Sequence, residues 1–129
     1  MEANASREQG YTYDRQAHHD FARKLAEESM VLLKNEGGVL PLDKSERILV
    51  VGELAEKPRF QGGGSSHVNP WKLEIPLEEM KKLGTELRFA KGYTLEGNVQ
   101  ENQRLIKDTL AEAAEFDKIV VFAGIIMVL

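Results

Sequence analysis

Arg47-Ile48-Leu49-Val50-Val51-Gly52 is the stretch from which the architecture can be read. Four successive apolar residues, three of them β-branched, fit a strand covered on both faces, as happens in a parallel sheet flanked by helices. Gly52 marks a sharp exit from it. Downstream, Glu53 to Trp71 holds two prolines, three successive glycines and two serines, a composition that predicts one long loop without regular structure. Pro76 starts a short helix over Leu77 to Leu83, Gly84 stops it, and Thr85 to Ala90 is a second strand. A helix over Val99 to Glu115 follows, with Leu105, Ile106, Leu110, Ala113 and Ala114 at helical intervals. Lys118 to Ala123 is a third apolar run, closed by Gly124.

Upstream, His18 to Asn35 places Phe21, Leu25, Ser29, Leu32 and Leu33 on one helical stripe, and Glu36-Gly37-Gly38 is expected to end it. Residues 1–15 are polar and aperiodic and are expected to form an N-terminal arm, leaving 16–129 as the domain. The crossovers between strands are long enough for parallel pairing. The expected fold class is therefore α/β: a three-layer α/β/α arrangement on a mostly parallel open sheet of about three strands and three helices. Sheets of this kind commonly have roughly five or six strands, so this one is expected to be incomplete.

With 129 residues, 42% hydrophobic and 29% charged, the chain suits a single domain. A formal net charge of -4, with both signs interspersed, points away from nucleic acid and from anionic membrane surfaces. No cysteine is present, so disulfides and thiolate chemistry are excluded. Met1 to Asp14 lacks a signal pattern and the last seven residues are too short to span a bilayer, which reads as a cytoplasmic protein. A mature secreted protein whose signal had been removed would read the same.

The segment richest in chemistry is Arg59-Phe60-Gln61-Gly62-Gly63-Gly64-Ser65-Ser66-His67-Val68-Asn69-Pro70. Its glycines allow close backbone approach, and its hydroxyl, imidazole and amide groups suit a polyhydroxylated ligand. Composition alone would equally allow a solvated linker, but the loop follows the carboxyl end of the first strand, where open α/β sheets place their ligand crevices. Phosphate motifs fail: Gly52 is followed by Glu53, and Gly64 by Ser65 rather than by lysine. Neighbouring His18 and His19 point about 100° apart on a helix and make a poor metal site. His67 reads as a ligand contact or a plain loop residue, and Trp71 as a stacking platform or a cap on the core. Glu27 with Glu28, and Glu78 with Glu79, read as solvated helix faces rather than opposed catalytic carboxylates. No catalytic residue, metal or cofactor is assigned.

Ala26-Glu27-Glu28-Ser29-Met30-Val31-Leu32-Leu33-Lys34-Asn35-Glu36, Leu40-Pro41-Leu42, the Arg47 to Gly52 run and Gln61-Gly62-Gly63-Gly64-Ser65-Ser66, in that order, resemble the start of the C-terminal α/β domain of family 3 glycoside hydrolases of the β-glucosidase type. Lys91-Gly92-Tyr93 and Ile119 to Gly124 are similar to that family as well. The resemblance implies a fragment of a retaining, exo-acting β-glycosidase that cleaves terminal β-linked sugars. It places a nucleophilic aspartate on a preceding barrel domain and an acid/base glutamate beyond Gly124, so the chain is expected to be inactive alone. It also implies saccharide contacts from Arg59, Gln61, Gly63, Gly64, Ser65 and Ser66. The alternative is a non-catalytic carbohydrate-binding or self-associating module. An incomplete sheet exposes an edge, which predicts a homodimer or higher oligomer through that edge and residues 125–129.

Overall fold

The structure is a computed structural model that describes residues 10 and 12–124. Two compact units divide the chain, residues 1–35 and 36–129.

The first unit contains helix α1, Arg15–Ser29. Asp14 caps it, its carboxylate accepting from the backbone N–H groups of Gln16 at 2.9 Å and Ala17 at 3.0 Å. The helix therefore starts inside the expected polar arm. It also stops earlier than its periodicity predicts: Met30 is extended, with ψ 135°, and the apolar run 30–33 does not continue the helix. Most helical stability comes from burying an apolar face, yet Phe21, Leu25 and Met30 to Leu33 are all exposed. Ser29 meanwhile turns its hydroxyl back on the Ala26 carbonyl at 2.8 Å, a bond that disfavours further helix. Gly37 and Gly38, expected as the C-cap, form a separate turn at positive φ.

The second unit is an α/β sheet packed between helices. Strands β1 (Ile48–Val51), β2 (Leu87–Ala90) and β3 (Lys118–Val121) are all parallel, in the order β2-β1-β3. Helix α2 (Glu53–Glu56) and helix α3 (Pro76–Lys81) cover one face, where Ile48 and Val50 pack with Ala55 and Leu77. Helix α4 (Val99–Ala113) covers the other, where Leu49, Val51 and Ala90 meet Ala113 and Phe116. This is the expected incomplete three-layer arrangement, with four helices rather than three among the described residues. The extra helix is α2, lying where a structureless loop was expected. Gly52 turns the chain at φ 113°, Glu-Leu-Ala-Glu are adequate helix formers for one turn, and Pro58 forbids more. The loop also holds a 3₁₀ turn at Gly64–Ser66.

Only β1 is covered as an apolar run should be, buried at every residue. In β3 the residues alternate, with Ile119 50% and Val121 61% exposed. An open apolar groove of about 350 Å³ runs between them and Ile106, Leu110 and Ala113 of α4. The amino ends of β1 and β3 are tied by Arg47 and Asp117, whose side chains meet at 3.1 and 3.2 Å, and Arg47 N–H donates to the same carboxylate at 2.9 Å. That contact holds the Asp117 carboxyl below its usual range.

Candidate functional site

Strand order 2-1-3 makes the chain leave β1 to one side and return past it on the other, so the topological switch point lies between the carboxyl ends of β1 and β3. Gly52 sits there, donating its N–H to the Ala90 carbonyl at 3.2 Å. A side chain on Gly52 would overlap the Phe122 carbonyl oxygen and come within 2.9 Å of Tyr93 Cε1. Tyr93 in turn donates its hydroxyl to that carbonyl at 2.6 Å. The crevice that such sheets use for ligands is thus filled by a tyrosine bridging two strand ends, and polar chemistry is displaced outward onto the connections.

Glu53 is the first of these outer groups, its side chain only 4% exposed. Oε2 accepts the Leu95 N–H at 2.6 Å, while Oε1 faces Lys57 Nζ at 2.9 Å and Lys91 Nζ at 3.4 Å. The Leu95 bond, aided by Lys57, outweighs burial and pulls the carboxyl down to about 2 from an ordinary 4.5. Glu53, Lys57, Lys91, Thr94, Leu95 and Glu96 line a small polar hollow of about 200 Å³. Because the folded carboxyl is depressed, its stabilisation is complete above pH ~4.5 and is lost as pH falls toward 2. Acid titration of thermal stability is therefore expected to show a loss across that window that Glu53→Gln flattens; equal acid limbs in the two proteins would contradict the assignment.

The glycine loop leaves α2 at Lys57 and is closed on itself. Gln61 Oε1 accepts the Val68 N–H at 2.8 Å, and Ser66 donates its hydroxyl to the Gly63 carbonyl at 2.8 Å. Gly62 suits this fold-back, since a Cβ there would lie 2.8 Å from Ser66 Oγ and would push that hydroxyl aside. Gly64 turns at φ 60° to begin the 3₁₀ turn. Gln61 and Ser66 are thus committed partly to loop structure. Arg59, Gly63, Gly64 and Ser65 are exposed around them, as are His67 and Asn69. Trp71 is 53% exposed and outside both core clusters, so it is not the cap on the core.

The remaining singled-out residues fall where the bland readings put them. His18 stacks on Tyr13 at 4.9 Å, Glu28 pairs with Lys24, and Glu78 and Glu79 pair with Lys81 and Lys82 on α3. Among the described residues no group of three or more His, Asp or Glu could hold a metal ion, and no helix is long and apolar enough to cross a membrane. Glu53 and Tyr93 were not singled out by residue-level reading. The available signal was a charged residue placed directly after a fully apolar strand, where burial forces it to find partners.

Residues 30–127 match the glycosyl hydrolase family 3 C-terminal domain. The chain is 48% identical over 116 residues to thermostable β-glucosidase B of Acetivibrio thermocellus, covering 88% of this chain and 15% of that protein. It is 35% identical over 124 residues to the exo-α-(1→6)-L-arabinopyranosidase of Bifidobacterium longum, covering 89% of this chain and 16% of that protein. Among solved structures, the GH3 β-glucosidase of Bifidobacterium adolescentis superposes with a TM-score of 0.81 at 35% identity, over 95% of this chain and 18% of that one. The chain thus spans about a sixth of the length of these relatives.

Proposed function

Since the chain belongs to the family of glycosyl hydrolase family 3 C-terminal domains, we propose that it supplies the substrate-facing α/β portion of a retaining, exo-acting β-glycosidase that removes terminal sugars. The observation that carries this reading is the glycine loop: a preformed turn rooted at the carboxyl end of the central strand, presenting Arg59, Gln61, Gly63, Gly64, Ser65 and Ser66. Neutral donors and acceptors on a backbone that a ring can approach closely are what a polyhydroxylated ligand requires. Retention needs two carboxyls about 5 Å apart across the sugar. Glu53 is unsuited to either role: its buried oxygens are taken by Leu95, Lys57 and Lys91, and its depressed pKa denies it the proton a general acid must carry. On this reading the nucleophile comes from a barrel domain of a longer polypeptide and the acid/base carboxyl from beyond Gly124, as the family resemblance implies.

The test is to express the protein from its original gene, record its intact mass, and assay p-nitrophenyl β-D-glucopyranoside and p-nitrophenyl α-L-arabinopyranoside. A product longer than this chain is expected to turn over at least one of them. Ser65→Ala is expected to raise KM by up to roughly tenfold, one hydrogen bond's worth, with a smaller effect on kcat. A product of any length that binds and hydrolyses no glycoside would sink the reading.

A second reading, a self-associating module without turnover, is favoured by the exposed residues of edge strand β3. Sedimentation of the same sample at tens of micromolar separates it, since a monomer excludes association. The part of that expectation resting on residues 125–129 lies outside the described residues.

A further inference from the structure

Glu53 is a buried carboxylate that the proposed chemistry does not use. A charge in that position needs compensation for its lost hydration, and a well-packed apolar residue would often serve stability as well. What the carboxylate does that an apolar group could not is join two segments far apart along the chain. Lys57 ends α2 and precedes Pro58, the root of the glycine loop. Lys91 follows β2, and Leu95 lies in the β2–α4 connection. One side chain therefore clamps α2 against the 91–95 connection through contacts of 2.6 Å to Leu95 and 3.4 Å to Lys91, while its 2.9 Å pair with Lys57 ties the same carboxylate to the end of α2. The loop beyond is internally closed by Gln61 and Ser66. A loop closed on itself takes its aim from its root.

We propose that Glu53 is a positioning residue for the saccharide-facing loop: by clamping α2 to the Lys91–Leu95 connection it sets the direction in which residues 59–66 leave the sheet. The saccharide part of this statement rests on the function proposed above. The positioning part stands on the geometry alone. Function requires such groups because misplacement of a contact by about 1 Å weakens recognition far more than it weakens the fold.

The experiment compares the full chain with Glu53→Gln, which keeps an acceptor for Leu95 and removes the charge, and with Glu79→Gln, which removes an exposed pair on α3. Backbone amide shifts and heteronuclear NOEs are recorded without ligand, then during titration with methyl β-D-glucopyranoside. In Glu53→Gln the amides of 59–66 are expected to shift and lose order while those of Ile48–Val51 and Leu87–Ala90 hold. Its affinity is expected to fall roughly tenfold, with Glu79→Gln unchanged in both respects. A folded Glu53→Gln whose loop amides match wild type, or whose changes spread equally through the sheet, overturns the proposal. So does wild-type affinity in that variant. If wild type itself binds no glycoside, the proposed contact fails, and the ligand-free spectra still decide the positioning. Should Glu53→Gln not fold, Lys57→Met with Lys91→Met cuts both ammonium straps, leaves the Leu95 bond in place, and is read by the same criteria.

Discussion

Replacing Gly52 by alanine is expected to destabilise the second unit severely. Two costs add at this position. The backbone sits at φ 113° and ψ 133°, a conformation that L side chains rarely adopt, costing about 1–3 kcal/mol. The new methyl would also drive into the Phe122 carbonyl oxygen, which is backbone, and against the Tyr93 ring at 2.9 Å. Relief requires separating the carboxyl ends of β1 and β3, since moving Tyr93 from its 2.6 Å hydrogen bond leaves the Phe122 carbonyl in the way, and overpacking of this kind costs about 1–3 kcal/mol more. A total of about 2–6 kcal/mol is a large share of the ~5–15 kcal/mol that holds a domain together. For a unit of this size it corresponds to a fall in Tm of roughly 10–45 °C. Calorimetry reads it directly. A loss below about 1 kcal/mol would mean that the switch point is not closed as described.

Leu49→Ala is expected to cost about 3 kcal/mol, within the ~2–5 kcal/mol range for emptying a fully enclosed leucine site. Leu49 is 0% exposed, on the central strand, with Arg88 of β2 on one side and Ile119 of β3 on the other in register. The informative comparison is Ile119→Ala, in the same layer of the same sheet. Ile119 is half exposed on the edge strand and is expected to cost about 1 kcal/mol or less, since much of its surface is already in water. Urea denaturation of the two variants gives the ratio. Equal losses would require that the groove beside β3 be covered in solution, which is what self-association through that edge entails.

That comparison marks the limit of what a linear pattern conveys. Ile48-Leu49-Val50-Val51 and Ile119-Val120-Val121-Phe122 look alike as apolar runs, but one is buried throughout and the other alternates between packed and open residues. An apolar run states that a strand can be covered on both faces. Whether it is covered depends on which other segments lie beside it, a property of topology that no window of residues contains. The same holds for α1. Its stripe of Phe21, Leu25, Leu32 and Leu33 predicts a helix through Asn35, but exposed along its length the stripe supports one only to Ser29. The spacing of a stripe does not say whether the stripe will be covered.

The glycine loop was legible as a place and not as a shape. Three glycines with Ser65, Ser66 and Gln61 mark a segment able to meet a saccharide, while the reasons for the particular glycines appear only in three dimensions. Gly62 makes room for the Ser66 hydroxyl, and Gly64 turns the chain at positive φ. Glu53 shows the reverse case. In sequence it is one of many acidic residues, and its low pKa and proposed role follow from Leu95, which is 42 positions away.

Composition, periodicity and breakers were sufficient for the α/β class, the three strands, the main helices and the loop that follows the central strand, because each depends on side-chain chemistry within a few residues. Strand order, the tyrosine that closes the switch point, the open edge at β3 and the partners of Glu53 were settled only by the fold. They depend on contacts between segments distant along the chain, and close packing admits few arrangements of them once one has formed.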